Sequence, residues 1–572
     1  MARALTSITW MAVAALGALA SGRAQAVVTI DSGQLSGRTE SGVSAYLGIP
    51  YAAPPVGAAR WEAPARPAPW KGVRSAETYG ANCPQTRNAG NRLGPWTSEY
   101  LISGPTAEDC LFLNVWTPDS VARHPVLVWL HGGAFTSGSG SVAIYDGQYL
   151  AHQGIVVVTI NYRLGALGFL SAAALGPRSG NYGLLDMIAA LQWVKRNIPA
   201  FGGDPGRVTI AGQSAGAAAV LALMASPAAK GLFARAIAES GAGVFTLGQS
   251  LEEAQRQGAE FAEAKGATTA AALRALSADA LIAPLTALAP APSGIPSHGR
   301  TAQDRATPKD HTTRHGRAPP QDRTPPQDRT PPQDRAPPQD RTPPQDRAPP
   351  RITFGPVIDG TVVSSEPRAG SDVPLLTGLV ADEASALNPS YGHATPASLK
   401  DYAERVFGAD AARLLSLYPA PDEATAGEAS TRIRREFDQA SAWVWAGQHS
   451  QAKHAPLYMY MFRHAEPGPE AARYRAFHSC EIPYVFGTLD RGGRPFVAAD
   501  RELSRTVMRY WVNFISTGDP NGAGLPAWPV LNPDAPQVLD IDTSSRAAPL
   551  LDERKRTFFS VELAKGVRPS LF

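Results

Sequence analysis

The chain has 572 residues, 18% of them charged, and a formal net charge of +3. A balance so close to neutral carries no electrostatic argument for a nucleic-acid partner or an anionic membrane surface. The length alone suggests two or more domains, and the composition, with only three cysteines, suits a soluble globular protein.

Residues 1–26 read as a secretory signal peptide. Arg3 supplies a positive start, Leu5 to Ala20 is mainly apolar, and Ala24-Gln25-Ala26 is a small-residue cleavage site. The expected mature chain starts at Val27 and is exported, either to a periplasm or out of the cell. Removing Arg3 and Arg23 with the leader leaves a formal charge of +1. No later stretch is long and apolar enough to span a bilayer. An exported chain can keep a disulfide, and the cysteines are Cys83, Cys110 and Cys480.

Pro125 to Leu130 (PVLVWL) predicts a buried strand. It runs into His131-Gly132-Gly133-Ala134-Phe135 and a loop rich in Gly and Ser. Glycines there let a backbone approach a substrate carbonyl, as in loops that supply oxyanion-hole amides. Ile155 to Ile160 (IVVVTI) is a second apolar strand. Gly183 to Ile198 reads as a helix, with Leu184, Ile188, Leu191 and Val194 on one face. Alternating strands and helices are the pattern of an α/β sheet.

Arg207-Val208-Thr209-Ile210-Ala211 predicts another strand. It leads into Gly212-Gln213-Ser214-Ala215-Gly216 and then an alanine-rich helical stretch. A serine flanked by small residues at a strand-to-helix turn has the layout of a nucleophile elbow. The pentapeptide alone is a weak signal, and its context gives it weight.

From Ala318 to Arg347 a hexamer, Ala/Thr-Pro-Pro-Gln-Asp-Arg, occurs five times. Degenerate copies reach back towards Pro296, and a partial copy runs to Arg351. Paired prolines exclude helix and central strand, and no apolar face is available to bury. The expectation is a disordered insertion at about 291–351. Either it is a tolerated surface loop, or it is a binding arm for a proline-recognising partner. Leu375 to Leu379 is a further short strand, ending near Asp382-Glu383. Phe477-His478-Ser479-Cys480-Glu481 follows downstream. Among eleven histidines, spacing alone leaves His454 and His464 beside His478, and Asp382 beside Glu383.

Taken together, these blocks resemble the type-B carboxylesterases, the α/β-hydrolase family that includes the cholinesterases. The resemblance begins at Gly48-Ile49-Pro50-Tyr51 and continues through Glu108-Asp109-Cys110-Leu111-Phe112-Leu113-Asn114-Val115-Trp116 and Asn161-Tyr162-Arg163-Leu164-Gly165. It takes in the elbow and ends at Phe514-Ile515-Ser516-Thr517-Gly518-Asp519-Pro520-Asn521. It implies one large α/β-hydrolase domain over 27–572, with a mostly parallel central sheet flanked by helices. It implies a catalytic triad of Ser214, Glu383 and His478, with oxyanion donors at the N–H groups of Gly133, Ala134 and Ala215. It also implies a Cys83–Cys110 disulfide closing a loop that holds Trp96 and Tyr100, and buried pairs Arg163–Asp186 and Arg60–Glu108. Cys480 is left as a free thiol.

Two departures stand out. Gln213 occupies a position that is often Glu, and Ala384 one that is often Gly. The first removes a carboxylate and argues against choline-ester specialisation. The implied reaction is ester hydrolysis through an acyl-enzyme, on a small-molecule ester and with no metal or organic cofactor. Two other readings are a lipase-like enzyme for long-chain esters and a non-catalytic adhesion or scaffold protein. Retention of all three triad residues speaks against the scaffold.

Overall fold

A computed structural model describes residues 25–86, 94–120, 122–243, 247–285, 352–366, 370–468 and 470–569. The chain divides into two units, one of 1–284 with 352–572 and one of 285–351. The expected signal segment up to Ala24 and the insertion with its repeat at 318–347 lie outside the described residues.

The strands of the larger unit are β1 (Gln25–Ile30), β2 (Gly33–Glu40), β3 (Val43–Pro50), β4 (Val73–Ser75), β5 (Phe112–Pro118), β6 (His124–Leu130), β7 (Val156–Ile160), β8 (Gly203–Gln213), β9 (Arg235–Glu239), β10 (Gln249–Ser250), β11 (Val357–Ile358), β12 (Leu375–Val380), β13 (Leu457–Phe462), β14 (Gln537–Ile541) and β15 (Arg546–Pro549). All but β10 and β11 form one sheet of order β1-β2-β3-β5-β7-β6-β8-β9-β12-β13-β14-β15, with β4 beside β2. From β7 to β14 every neighbouring pair is parallel. The edges turn antiparallel at β5–β7 and β14–β15. The short parallel pair β10–β11 stands apart.

The central strands are apolar on both faces because helices cover both sides of a parallel sheet. Val126 to Leu130 and Val156 to Ile160 are almost wholly inaccessible. The expected helix at Gly183–Ile198 is observed at Tyr182–Asn197, where its buried face includes Leu184, Ile188, Leu191 and Val194. The helix after the elbow, Ala215–Met224, is buried at every position. Its run of alanines lets it lie close to the sheet.

Parallel strands end at the same edge, and in such sheets the crevice outside their carboxyl ends takes ligands. β6 ends at Leu130, β8 at Gln213 and β12 at Val380. They deliver His131, Ser214 and Glu383 to one rim. A bridge between Asp382 and Phe477 brings in the loop that carries His478.

One ion pair anchors this rim. Arg163 Nε and Nη2 donate to Asp186 at 2.8 and 2.7 Å, and both side chains are buried. The pair ties the segment after β7 to the helix Tyr182–Asn197. The Arg60–Glu108 pair also forms, with Nε to Oε2 at 2.8 Å. Removing one partner of a buried pair leaves an uncompensated charge. We expect Asp186→Asn to cost about 3–5 kcal/mol in urea unfolding, and Arg163→Met with Asp186→Leu to recover part of it. A loss below about 1 kcal/mol would show that the pair does not hold this segment.

Candidate active site

Ser214 stands between β8 and the helix Ala215–Met224 with φ 57° and ψ −123°. A β-carbon on Gly216 would lie 2.0 Å from the carbonyl oxygen of Leu130, and one on Gly212 would lie 2.6 Å from the Gly216 carbonyl carbon. Only glycine allows strand and helix to come this close. The turn is pinned by the Ser214 N–H, which donates to Glu239 O at 2.9 Å.

His478 Nδ1 lies 2.5 Å from Glu383 Oε2, and Glu383 Oε1 accepts the Val380 N–H at 2.9 Å. Both side chains are buried. With Nδ1–H directed at the carboxylate, the neutral ring presents a lone pair at Nε2. The Gln213 amide nitrogen lies 3.2 Å from that atom and donates to it. The alternatives left open by spacing are engaged elsewhere. Asp382 accepts from Arg435 at 2.8 Å and from the Tyr391 hydroxyl at 2.9 Å. His464 sits between Asp500 and Asp542. His454 meets Asp372 through its backbone N–H.

Ser214 and His478 open onto a cavity of about 830 Å³, shared with Gly133, Ala134 and Ala215. Gly133, Ala134 and Phe135 all have positive φ, at 108°, 53° and 58°. Trp96, Tyr100, Phe135, Tyr145, Phe354 and Leu387 supply apolar wall. No Asp, Glu, Lys or Arg lines it among the described residues. Nor do the described residues hold any group of three His, Cys, Asp or Glu placed to bind a metal ion.

Cys83 and Cys110 are joined, with Cα atoms 5.0 Å apart. The loop they close supplies Trp96, whose indole N–H donates to the His478 carbonyl at 3.2 Å. Cys480 is free and fully buried, and burial pushes its thiol well above the ordinary range. A bulky thiol reagent therefore has no path to it in the folded protein. Sequence reasoning missed the contacts of Gln85, Trp96 and Gln213, which join distant segments and leave no local pattern.

Behind the site lie carboxyls that sequence gave no reason to notice. Burial pushes Glu239 up to about 8, opposed by the Trp511 indole N–H. Glu481 is raised well above the ordinary range by burial and then by Glu239 and Glu383. Burial also lifts Glu466 to about 8 and Asp438 to about 7, against the pull of Arg494 and Arg434. The folded protein thus keeps protons that the unfolded chain releases above about 4.5. Stability from these groups is full below that value and is lost as pH rises towards about 8. His131 and His449, held down at about 4 by burial, act oppositely below about 6.5. The window from about pH 6.5 to 8 isolates the carboxyls. There the free energy of unfolding should fall as pH rises, and Glu239→Gln should flatten the slope in urea titrations. An unchanged slope would remove Glu239 from this account.

The chain matches the carboxylesterase family model over residues 24–295 and 339–559. It is 33% identical over 552 residues to the para-nitrobenzyl esterase of Bacillus subtilis (strain 168), covering 93% of this chain and 98% of that one. It is 33% identical over 522 residues to the fumonisin B1 esterase of Sphingopyxis macrogoltabida, covering 87% and 83%. A solved PNB esterase structure superposes with a TM-score of 0.69 at 31% identity, covering 93% of this chain and 99% of the other. The fold is that of the α/β-hydrolases. With the match running on both sides of the insertion, this protein belongs to the carboxylesterase family and is a hydrolase of carboxylic esters.

Proposed function

We propose that this enzyme hydrolyses small, uncharged carboxylic esters through an acyl-enzyme on Ser214, with His478 as base and Glu383 as its orienting partner. The observation that carries the reading is the 2.5 Å contact between His478 and buried Glu383, with Ser214 and His478 facing one cavity. Ser214 Oγ attacks the ester carbonyl and its proton passes to His478 Nε2. For this the hydroxyl shares or takes the position at Nε2 that the Gln213 amide holds. The N–H groups of Gly133, Ala134 and Ala215 receive the developing oxyanion, and such donors are worth roughly 3–4 kcal/mol each. The C–O bond to the alcohol then breaks, and His478 returns the proton to the leaving oxygen. Water attacks the acyl-enzyme by the same route, releasing the acid and restoring Ser214.

The substrate class rests on the lining. A buried charge on a substrate would find no countercharge among the described wall residues. Aromatic side chains instead offer apolar contact to acyl or alcohol groups. We also propose export through the leader at 1–26. N-terminal sequencing of protein from the periplasm or medium should begin at Val27.

Ser214→Ala should lower kcat for p-nitrophenyl butyrate by roughly a millionfold. His478→Ala should do nearly the same, and Glu383→Gln should cost roughly 10⁴-fold. Circular dichroism should stay normal in all three. Near-normal turnover by Ser214→Ala would sink the mechanism.

We assign no catalytic part to the hexapeptide insertion. The family match is interrupted between 295 and 339, so most of the insertion lies outside it, and the cost of closing a loop grows only by about 0.6 kcal/mol per doubling of length. Thr353 to Pro356 do line the cavity, so a deletion must stop short of them. Removing Ala318 to Arg347 should leave melting temperature and p-nitrophenyl ester kinetics nearly unchanged. A large fall in kcat/KM with normal circular dichroism would give the repeat a part in substrate access.

A further inference from the structure

The turn that offers the Gly133 and Ala134 amides is strained. Its three consecutive positive φ values fall partly on Ala134 and Phe135, which pay a steric cost that glycine does not. Such conformations persist only where the surroundings over-determine them. Part of the hold is internal, since Gly133 O accepts the N–H groups of Thr136 and Ser137, both at 3.0 Å. Part comes from the sheet side, where the Tyr162 hydroxyl donates to His131 O at 2.6 Å and the Tyr162 ring stacks on His131 at 4.3 Å.

The outer side is held by Gln85. Its Nε2 donates to Gly138 O at 2.8 Å, and its Oε1 accepts the Gly138 N–H at 2.8 Å. One carboxamide thus takes both polar backbone groups of one residue, the exchange that paired strands make. Gly138 in turn is packed against the start of the turn. A β-carbon there would lie 2.3 Å from His131 Nδ1 and 2.5 Å from Gly132 O. Whatever places Gly138 therefore places the backbone entering Gly133.

Gln85 is itself fixed. Its Nε2 also donates to Cys83 O at 3.1 Å. Cys83 is bonded to Cys110, two residues before β5. The neighbouring Asn82 donates to Ser103 O and accepts from the Ser141 hydroxyl. The side chain of Gln85 is buried at the cavity edge, with both amide hydrogens donated and its oxygen accepting the Gly138 N–H.

We infer that Gln85 is a positioning residue for the oxyanion turn, and that through it the Cys83–Cys110 disulfide supports catalysis as well as stability. This rests on the reading of Ser214 and the three amides given above. The role predicts an effect on the transition state and little on ground-state binding, because the amides meet full negative charge only after attack.

The test compares wild type, Gln85→Leu, Gln85→Asn and the pair Cys83→Ser with Cys110→Ser. Active sites are counted by the p-nitrophenol burst from diethyl p-nitrophenyl phosphate. For each titrated site, kcat and KM are measured on p-nitrophenyl butyrate. Inhibition is measured with an alkyl trifluoromethyl ketone, whose adduct carries the oxyanion, and with the matching methyl ketone. Gln85→Leu should lose roughly ten- to hundredfold in kcat, with KM within about twofold. The trifluoromethyl ketone should weaken by the same factor and the methyl ketone should not. The cysteine variant should lose kcat in the same sense, and Gln85→Leu should cost less in that background than in wild type.

Normal kcat per titrated site in the Gln85 variants, even with a lowered melting temperature, would overturn the inference. Full multiplication of the two effects would overturn the route through the disulfide. Should Gln85→Leu fail to fold, Gln85→Asn and the cysteine variant decide by the same criteria. Absence of a burst in wild type would instead condemn the nucleophile reading, which separates the two failures.

Discussion

Ser214 holds a backbone conformation, φ 57° and ψ −123°, that a serine does not adopt unaided. It survives because β6, β8 and the following helix converge on it. Leu130 and Gly212 are register partners, and the Leu130 carbonyl presses against Gly216 where any side chain would collide. The helix Ala215–Met224 is buried throughout, so it cannot shift to relieve the turn. Moving β6 would also move His131 and the turn at Gly133 to Phe135 that follows it. Ser214 and the turn at Gly133 to Phe135 are therefore positioned by the same two strands. The Arg163–Asp186 pair steadies the next segment, from which Tyr162 reaches His131.

Electrostatics around the site follow a division of labour. The cavity wall carries no charged side chain among the described residues. Behind it, burial keeps Glu239 and Glu481 protonated near neutrality. Glu383 differs in having partners for both oxygens, the Val380 N–H and His478. Of these three carboxyls it is the one in contact with His478. Gln213 adds a neutral donor at the other ring nitrogen, where a carboxylate would have added charge.

Local pattern made much of this legible. The strands at Val126–Leu130 and Val156–Ile160 are continuous apolar runs, and the helix at Tyr182–Asn197 is a regular 3.6-residue pattern. The glycines at 212 and 216 announced a tight turn. Family resemblance, not periodicity, singled out Glu383 over Asp382 and His478 over His464. In the structure Asp382 is spent on Arg435 and Tyr391, while Glu383 reaches His478. What stayed hidden is the cross-chain wiring. Gln85 and Gly138 are 53 residues apart, and Trp96 and His478 are 382 apart. Such contacts are set by how loops fold over the sheet, and neither partner carries a signature in its own neighbourhood. The protonated acids were equally invisible, since their state comes from burial.

The placement of the three cysteines bears on how the chain acquires its disulfide. A chain that emerges from its amino end exposes Cys83 and Cys110, only 27 residues apart, long before Cys480. Pairing either with Cys480 would close a loop longer by roughly four doublings, an added entropic cost of about 2 kcal/mol. Order of appearance and loop entropy thus favour the same partner. Once the core closes, Cys480 is sealed away with its thiol proton held on, leaving no thiolate to attack the finished bond. Loop entropy thus favours the observed pairing and burial of Cys480 protects it, so oxidative folding of this enzyme should need little help from a disulfide isomerase.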